Sequence, residues 1–373
     1  MKRLLFLFIS LLSIATFIFA NPNSSRSSRR TATNTQMGAS ATPDEIRERL
    51  AALNCDIELR YTDEVQSCIN TYLNTSYGRK RLSSMIGELE YYLPIFDHYL
   101  EEAGIPMELK YLAVIESALD PKATSHCGAA GLWQFMPIAA KGYDMKITSS
   151  IDERRDPYIS SHRACQMLKE LYKKFGDWTL AIAAYNCGGG RLQQALNKAG
   201  GDKSKHNFWT IAKYLPAQTR NYVPKFIAMT YLMSYYKEHD ITVSDEEMNT
   251  LATDTVHITG KMTFREVAAA TNVSIVEIKK LNPHYRGEVI PATTARPCNL
   301  ILPTDHAMTL KQRFGRPAVA TTKPAKNAEP INTVKSKVAE SNQTRERKNT
   351  VSAKYVDRPS STSPNTMVRI RVN

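Results

Sequence analysis

The sequence has six cysteines but no CxxC pair and no Cys/His spacing of the kind that holds zinc, so nothing in it points to a metal centre. Before Leu251 no alternating apolar–polar run is long enough for a large sheet, which leaves a helical core. Positive charge is scarce where a nucleic-acid-binding domain would need it. The net charge is +13, yet Arg313 to Asn373 holds 13 Lys and Arg against 4 acids, and Lys2 and Arg3 lie at the other end. The stretch between them carries only about +2. A nucleic-acid binder concentrates positive charge on a folded face, and that class is excluded. No cysteine closes the N-terminal apolar run, which removes a lipoprotein signal.

The run itself, Leu4 to Phe19 behind Met1-Lys2-Arg3, has the basic flank and length of a secretory signal peptide over residues 1–20, cut after Ala20. Ile18 is bulkier than the small residue usual two positions before a cut, so an uncleaved anchor stays open, although the run is slightly short for a full span. Either way the chain is exported, to the periplasm or cell envelope. Residues 21–43 are rich in Ser, Thr, Asn and Arg and read as a flexible linker. Residues 313–373 read as a basic disordered tail. That tail, or the N-terminal segment, could associate with a membrane or an anionic wall polymer; a merely solvated tail is the alternative. Six cysteines in an exported chain allow fifteen disulfide connectivities, with free buried thiols as the other reading.

Between these ends, 373 residues leave room for one sizeable core and a smaller module. Residues 44–104 form a helical stem: Leu82, Met85, Ile86, Leu89 and Leu93 recur at three and four, and Phe96, Leu100 and Ala103 continue the stripe. Pro94 suits a first turn better than an interior, so a second helix is expected to begin there. Asp156-Pro157 marks another helix start, with Ala164, Leu168, Leu171 and Phe175 as its core stripe and Gly176 as its stop. Asp177 caps the helix Trp178 to Tyr185, and Pro216 to Tyr236 is a further apolar helical stretch.

The stretch around which the rest is organised runs from Leu109 to Pro137. It opens as a helix that is apolar on nearly every side and that Asp120-Pro121 is expected to end. Glu116 falls on the face of Leu109 and Leu112, at i+7 and i+4. A carboxyl there is costly to bury ionised, so it must be paired, or protonated with a raised pKa. An ion-paired structural acid is the plainer reading. Its company argues for more: Ser117 follows directly, then Gly131-Leu132-Trp133-Gln134, then Ala184-Tyr185-Asn186, then Asn221-Tyr222-Val223. In that order these motifs resemble the lytic transglycosylase family with the goose-type lysozyme-like fold, over about Asp44 to Glu238.

The resemblance implies a mainly α architecture: a lysozyme-like helical catalytic domain over residues 105–240, preceded by the stem. It implies cleavage of peptidoglycan glycan strands with no cofactor and no metal. One acid, Glu116, protonates the leaving oxygen and then serves as base toward the sugar's own C6 hydroxyl. Ser117 and Gln134 are expected near the acid or the substrate, and Tyr185, Asn186 and Tyr222 as cleft residues. Trp133 is expected in the core. Leu119 departs from the family's frequent aromatic, and Cys187 and Gly189 vary after Asn186. No second acid stands in a matching motif, and a hydrolase on this fold would need one, Asp144 or Asp152 for example, facing Glu116. A wall-binding scaffold without turnover is the reading from another class.

Residues 255–304 change character. A strand (Val256 to Ile258), helices Thr263 to Ala270 and Ile275 to Leu281, and Leu300 to Pro303 follow in the order of a small α+β LysM-like module. Gly260-Lys261-Met262-Thr263 stands where that family has a Gly-Asp-Thr turn, and Arg286 to Arg296 lengthens the last connection. Sugar binding and a purely structural cap are both left open.

Overall fold

A computed structural model describes residues 41–202, 205–243 and 252–314, without the side chains of 313 and 314. The signal peptide, nearly all of the linker and all but the start of the basic tail fall outside the described residues. No described helix is long and apolar enough to cross a membrane.

The chain enters through α1 (Pro43–Ala52), where Thr42 and Glu45 form a capping box, and α2 (Asp63–Leu73), capped by Thr62. Next comes α3 (Ser76–Ala103), a single helix that ends at Gly104 in the left-handed conformation. The break expected at Pro94 is absent. Pro94 lies inside α3 on its exposed side, where water can take the carbonyl it leaves without a donor. Burial of Leu89 and Tyr92 before it, and of Ile95, Phe96 and Leu100 after it, carries the helix through. A 3-10 turn (Met107–Lys110) then leads into α4 (Tyr111–Ser117).

Beyond α4 lie α5 (Pro137–Gly142) and α6 (Pro157–Phe175), with Asp156 capping α6 and Gly176 ending it. Asp177 caps α7 (Trp178–Cys187), and α8 (Gly189–Ala199), α9 (Phe208–Ile211) and α10 (Ala217–Arg220) follow. The last helix of the body, α11 (Tyr222–Ser234), is buried on all sides and packs against α2, α4 and α7. It is the post around which the body is built, and α4 leans on it directly.

The C-terminal unit pairs β1 (Thr253–Ile258) with β4 (Cys298–Pro303), antiparallel from Thr253 opposite Pro303 to Ile258 opposite Cys298. Between them lie β2 (Met262–Thr263), α12 (Phe264–Thr271), α13 (Ile275–Leu281) and β3 (Val289–Ile290). The lengthened connection thus contains a strand, β3, paired with β2. Thr263 caps α12 in a capping box with Glu266, so the divergent turn still starts its helix. A further helix, α14 (Thr304–Phe314), extends the unit beyond Pro303 and packs on β1 and α12.

Asp152 joins this unit to the body. Fully buried, it accepts from Arg154 Nε and Nη2, each at 2.9 Å, and from Arg286 Nη2 of the C-terminal unit at 2.9 Å. Main-chain bonds run alongside, Asp152 N–H to the His284 carbonyl and Arg286 N–H to the Ser150 carbonyl, both 2.9 Å. His284 Nδ1 lies 3.3 Å from Asp156 Oδ2.

Candidate active site

Glu116 sits one residue before the end of α4, and the chain leaves that helix abruptly. Ala118 and Leu119 take φ of 51° and 64°, two successive left-handed residues without the glycine that usually permits them. The helix therefore stops at Ser117, three residues short of Asp120-Pro121. The turn buries Leu119, and the chain beyond it meets the loop 131–134 where Gly131 N–H donates to the Ala123 carbonyl at 3.1 Å.

That loop is fixed by close approach. Gly131 has φ of 85°, and a Cβ there would stand 1.8 Å from the Arg154 carbonyl oxygen, so no other residue fits. Trp133 is fully buried, donates its indole N–H to Ser161 at 2.9 Å and meets Phe96 edge to face. It belongs to the core, as expected. Gln134, at φ of 48°, donates its amide to the Gly131 carbonyl at 2.8 Å and, more weakly, to that of Ala123 at 3.4 Å.

The side chains singled out in the sequence divide into two groups. Tyr222, the first residue of α11, donates its hydroxyl to Glu116 Oε1 at 2.5 Å. Tyr185 on α7 lies close enough for the Glu116 charge to raise its phenol further, beyond what burial does, although its hydroxyl donates to the Trp133 carbonyl at 2.7 Å. Ser117 and Asn186 do not reach the carboxyl. The Ser117 hydroxyl lies within donor reach of the Ala113 carbonyl at 3.1 Å and of Leu132 at 2.9 Å, tying α4 to the Gly131 loop. Asn186 Oδ1 accepts from Thr219 at 2.9 Å and braces α7 against α10.

Lys225 was not singled out, though it is the one charged residue in α11 and stands one turn beyond Tyr222. Its ammonium donates to the Ile115 carbonyl at 3.1 Å, and burial lowers its pKa, partly offset by the Glu116 charge. A single cation in an otherwise apolar buried helix was the signal in the sequence.

Burial pushes the Glu116 carboxyl up to about 7, against the opposing pull of the Tyr222 hydrogen bond and the Lys225 charge. The residue keeps a partly open edge to solvent while protein encloses the rest of it. It is therefore an acid that keeps a substantial protonated fraction near neutrality and is still reachable. No carboxylate among the described residues pairs with it. Asp144 lies exposed in the loop after α5. Burial would raise Asp152, but Arg154 and Arg286 more than offset it and hold that carboxylate below its ordinary range. All six cysteines carry free thiols, and no described group of His, Cys, Asp and Glu could hold a metal.

Residues 94–208 match the family described as "Transglycosylase SLT domain", and residues 252–315 match "Lytic transglycosylase MltD, LysM-like domain". The chain is 34% identical over 225 residues to membrane-bound lytic murein transglycosylase D of Escherichia coli strain K12, covering 59% of this chain and 48% of that one. It is 30% identical over 151 residues to the soluble lytic murein transglycosylase of the same strain, covering 39% and 23%. The chain thus spans less than half the length of these curated relatives. A crystal structure of the 70 kDa soluble lytic transglycosylase from Escherichia coli aligns with 42% of this chain and 26% of its own, at 27% identity and a TM-score of 0.33. By sequence, then, one stretch of the chain is similar to transglycosylase SLT domains and a later one to the LysM-like domain of the lytic transglycosylase D type.

Proposed function

We propose that this chain is an exported peptidoglycan lytic transglycosylase, a carbon–oxygen lyase that cuts glycan strands between N-acetylmuramic acid and N-acetylglucosamine without water. The observation that carries the reading is a carboxyl, Glu116, raised to about 7 and held by Tyr222, with no second carboxylate beside it among the described residues. A glycosidase that hydrolyses through two carboxylates needs the second as nucleophile or base. With one, the same group must serve twice.

With Oε1 accepting from Tyr222, the proton of neutral Glu116 resides on Oε2 and passes to the glycosidic oxygen as the C1–O bond breaks. The resulting carboxylate, beside the Lys225 charge, then takes the proton of the muramic acid C6 hydroxyl. The C6 oxygen attacks C1 and closes a 1,6-anhydro ring. Glu116 ends as it began, protonated. Tyr222 orients the carboxyl, Tyr185 and Ser117 hold the Trp133 and Leu132 carbonyls that shape the loop, and Gln134 and Asn186 border the cleft as substrate-binding residues. Export through residues 1–20 brings the enzyme to its polymer.

Mass spectrometry of products from purified peptidoglycan tests this. Wild type is expected to leave anhydro-ended muropeptides and Glu116→Gln none. Reducing ends that vanish in the variant would mean hydrolysis, and sacculus binding without products from either protein would mean a scaffold.

A further inference from the structure

Away from Glu116, a cluster of basic side chains among the described residues lies where the body meets the C-terminal unit. A cleft of about 530 Å³ opens there, with Lys122 and Arg155 on the body's side and Lys279 and Arg286 on the other. The one carboxylate lining it, Glu288, already pairs with Lys279 at 2.6 Å. Behind the wall, Asp152 serves three guanidiniums at once: Arg154 and Arg286 at 2.9 Å and Arg155 at 3.7 Å. Cations therefore outnumber acids throughout the cleft and its backing.

A solvated basic face is the ordinary account of such a cluster, and two features set this one apart. The charges come from separate segments of both units and converge on a concavity. Two of them are also held in place. Arg155 donates to the Lys122 carbonyl at 2.6 Å and to Thr124 Oγ1 at 2.7 Å, which fixes it on the loop that bears Lys122. Arg286 is held by Asp152 through Nη2 and by its own main chain, yet its side chain stays 42% exposed, with further N–H donors in its fork. Guanidiniums pre-positioned in this way suit carboxylates.

We infer that this cleft binds the carboxylates of the short peptide borne by the glycan substrate, so that the chain reads the peptide while Glu116 cuts the strand. The inference rests on the proposed activity for its choice of anion. Lys122 follows Glu116 by six residues, which places their Cα atoms at most about 20 Å apart, and the turn at Asp120 to Ala123 shortens that span. Gln134, bordering the Glu116 cleft, reaches the Ala123 carbonyl at 3.4 Å, so the two sites share one loop. A peptide branching from a strand held at Glu116 is thus within reach, and its acidic residues meet an excess of fixed cations. An extended lipid surface would not be served by a concavity.

Lys122 and Lys279 are both exposed, so Lys122→Glu and Lys279→Glu leave the fold standing. Calorimetric titration of the full chain with a synthetic acidic tetrapeptide of stem-peptide composition is expected to show binding. Each variant should weaken it about tenfold, as should amidation of the peptide's carboxyls. On peptide-bearing strands kcat/KM should fall alongside, and on peptide-free strands it should not change. Equal loss on both kinds of strand, or peptide binding indifferent to both variants, overturns the inference. So does binding of anionic phospholipid vesicles that depends on Lys122 while the peptide fails to bind. Peptide binding is read without turnover, so a failure to cleave any strand counts against the activity and leaves the titration to decide the cleft.

Discussion

Glu116 combines burial, an apolar helix and a single hydrogen-bonding neighbour, and each leaves a measurable trace. Its carboxyl stands near 7 where the ordinary value is 4.5. A raised acid pKa favours the folded state while the group is protonated, and that advantage is lost as pH rises from about 4.5 through about 7. Above that range the wild type carries a poorly solvated carboxylate that glutamine would not. Glu116→Gln should therefore abolish turnover and also stabilise the fold at pH 8, by on the order of 2 kcal/mol after allowing for its open edge. At pH 4.5 the two proteins should melt together. Thermal unfolding at both pH values reads this, and an equal shift at each would assign the gain to packing.

The same reasoning sets the pH dependence of activity. Proton donation requires the neutral acid, so kcat/KM should fall as pH rises through about 7. Lys225 favours the ionised form, and Lys225→Met removes that pull. The alkaline limb should then move to higher pH, about one unit for a charge at this depth. An unmoved limb would leave Lys225 as a prop for the Ile115 carbonyl only. Glu116 was legible because an acid on an apolar helical face has few reasons to exist. Lys225 was as legible in principle, yet a lysine stem also packs along apolar surface, and nothing in a linear pattern says that its ammonium turns back toward another helix.

At the scale of elements, the caps at Asp156 and Asp177 and the stop at Gly176 could be read directly, because each is a local side chain satisfying local backbone groups. Three other features could not. The early end of α4 relies on left-handed Ala118 and Leu119, residue types that announce no such turn. Continuity through Pro94 relies on buried neighbours outweighing one lost hydrogen bond. The two-residue strands β2 and β3 are too short to show alternation. Gly131 supplies the sharpest test of the loop beside the acid. Gly131→Ala places a methyl against the Arg154 carbonyl at a left-handed φ. It should cost about 2–4 kcal/mol of stability, with activity falling further than the population of folded protein explains. Ser117→Ala loses the hydroxyl that meets the Leu132 and Ala113 carbonyls and should cost about 1 kcal/mol.

At the scale of the molecule, Asp152 decides between two accounts of the same carboxylate. In the sequence it stood as a candidate second acid for a hydrolase; in the fold it is the buried anion that Arg154, Arg155 and Arg286 share across the junction. That assignment needs side chains 134 residues apart to meet, which no local pattern records. Its pKa lies below the ordinary 3.8, burial being outweighed by the arginines. Its stabilising contribution is therefore present above that value and lost as pH falls through the lower folded one. Asp152→Asn keeps the volume, removes the charge and leaves three guanidiniums facing one another, a change expected to cost about 3–5 kcal/mol at pH 7. The melting temperature should drop sharply at pH 7 and converge on the wild type as pH falls below the ordinary 3.8 and through the lower folded value. Exposed Asp144→Asn should stay within about 0.5 kcal/mol of wild type. At a temperature where the Asp152 variant is still folded, it should go on producing anhydro ends. Loss of all turnover from a variant that melts like wild type would make Asp152 a reacting group, and the one-carboxyl mechanism would fall with it.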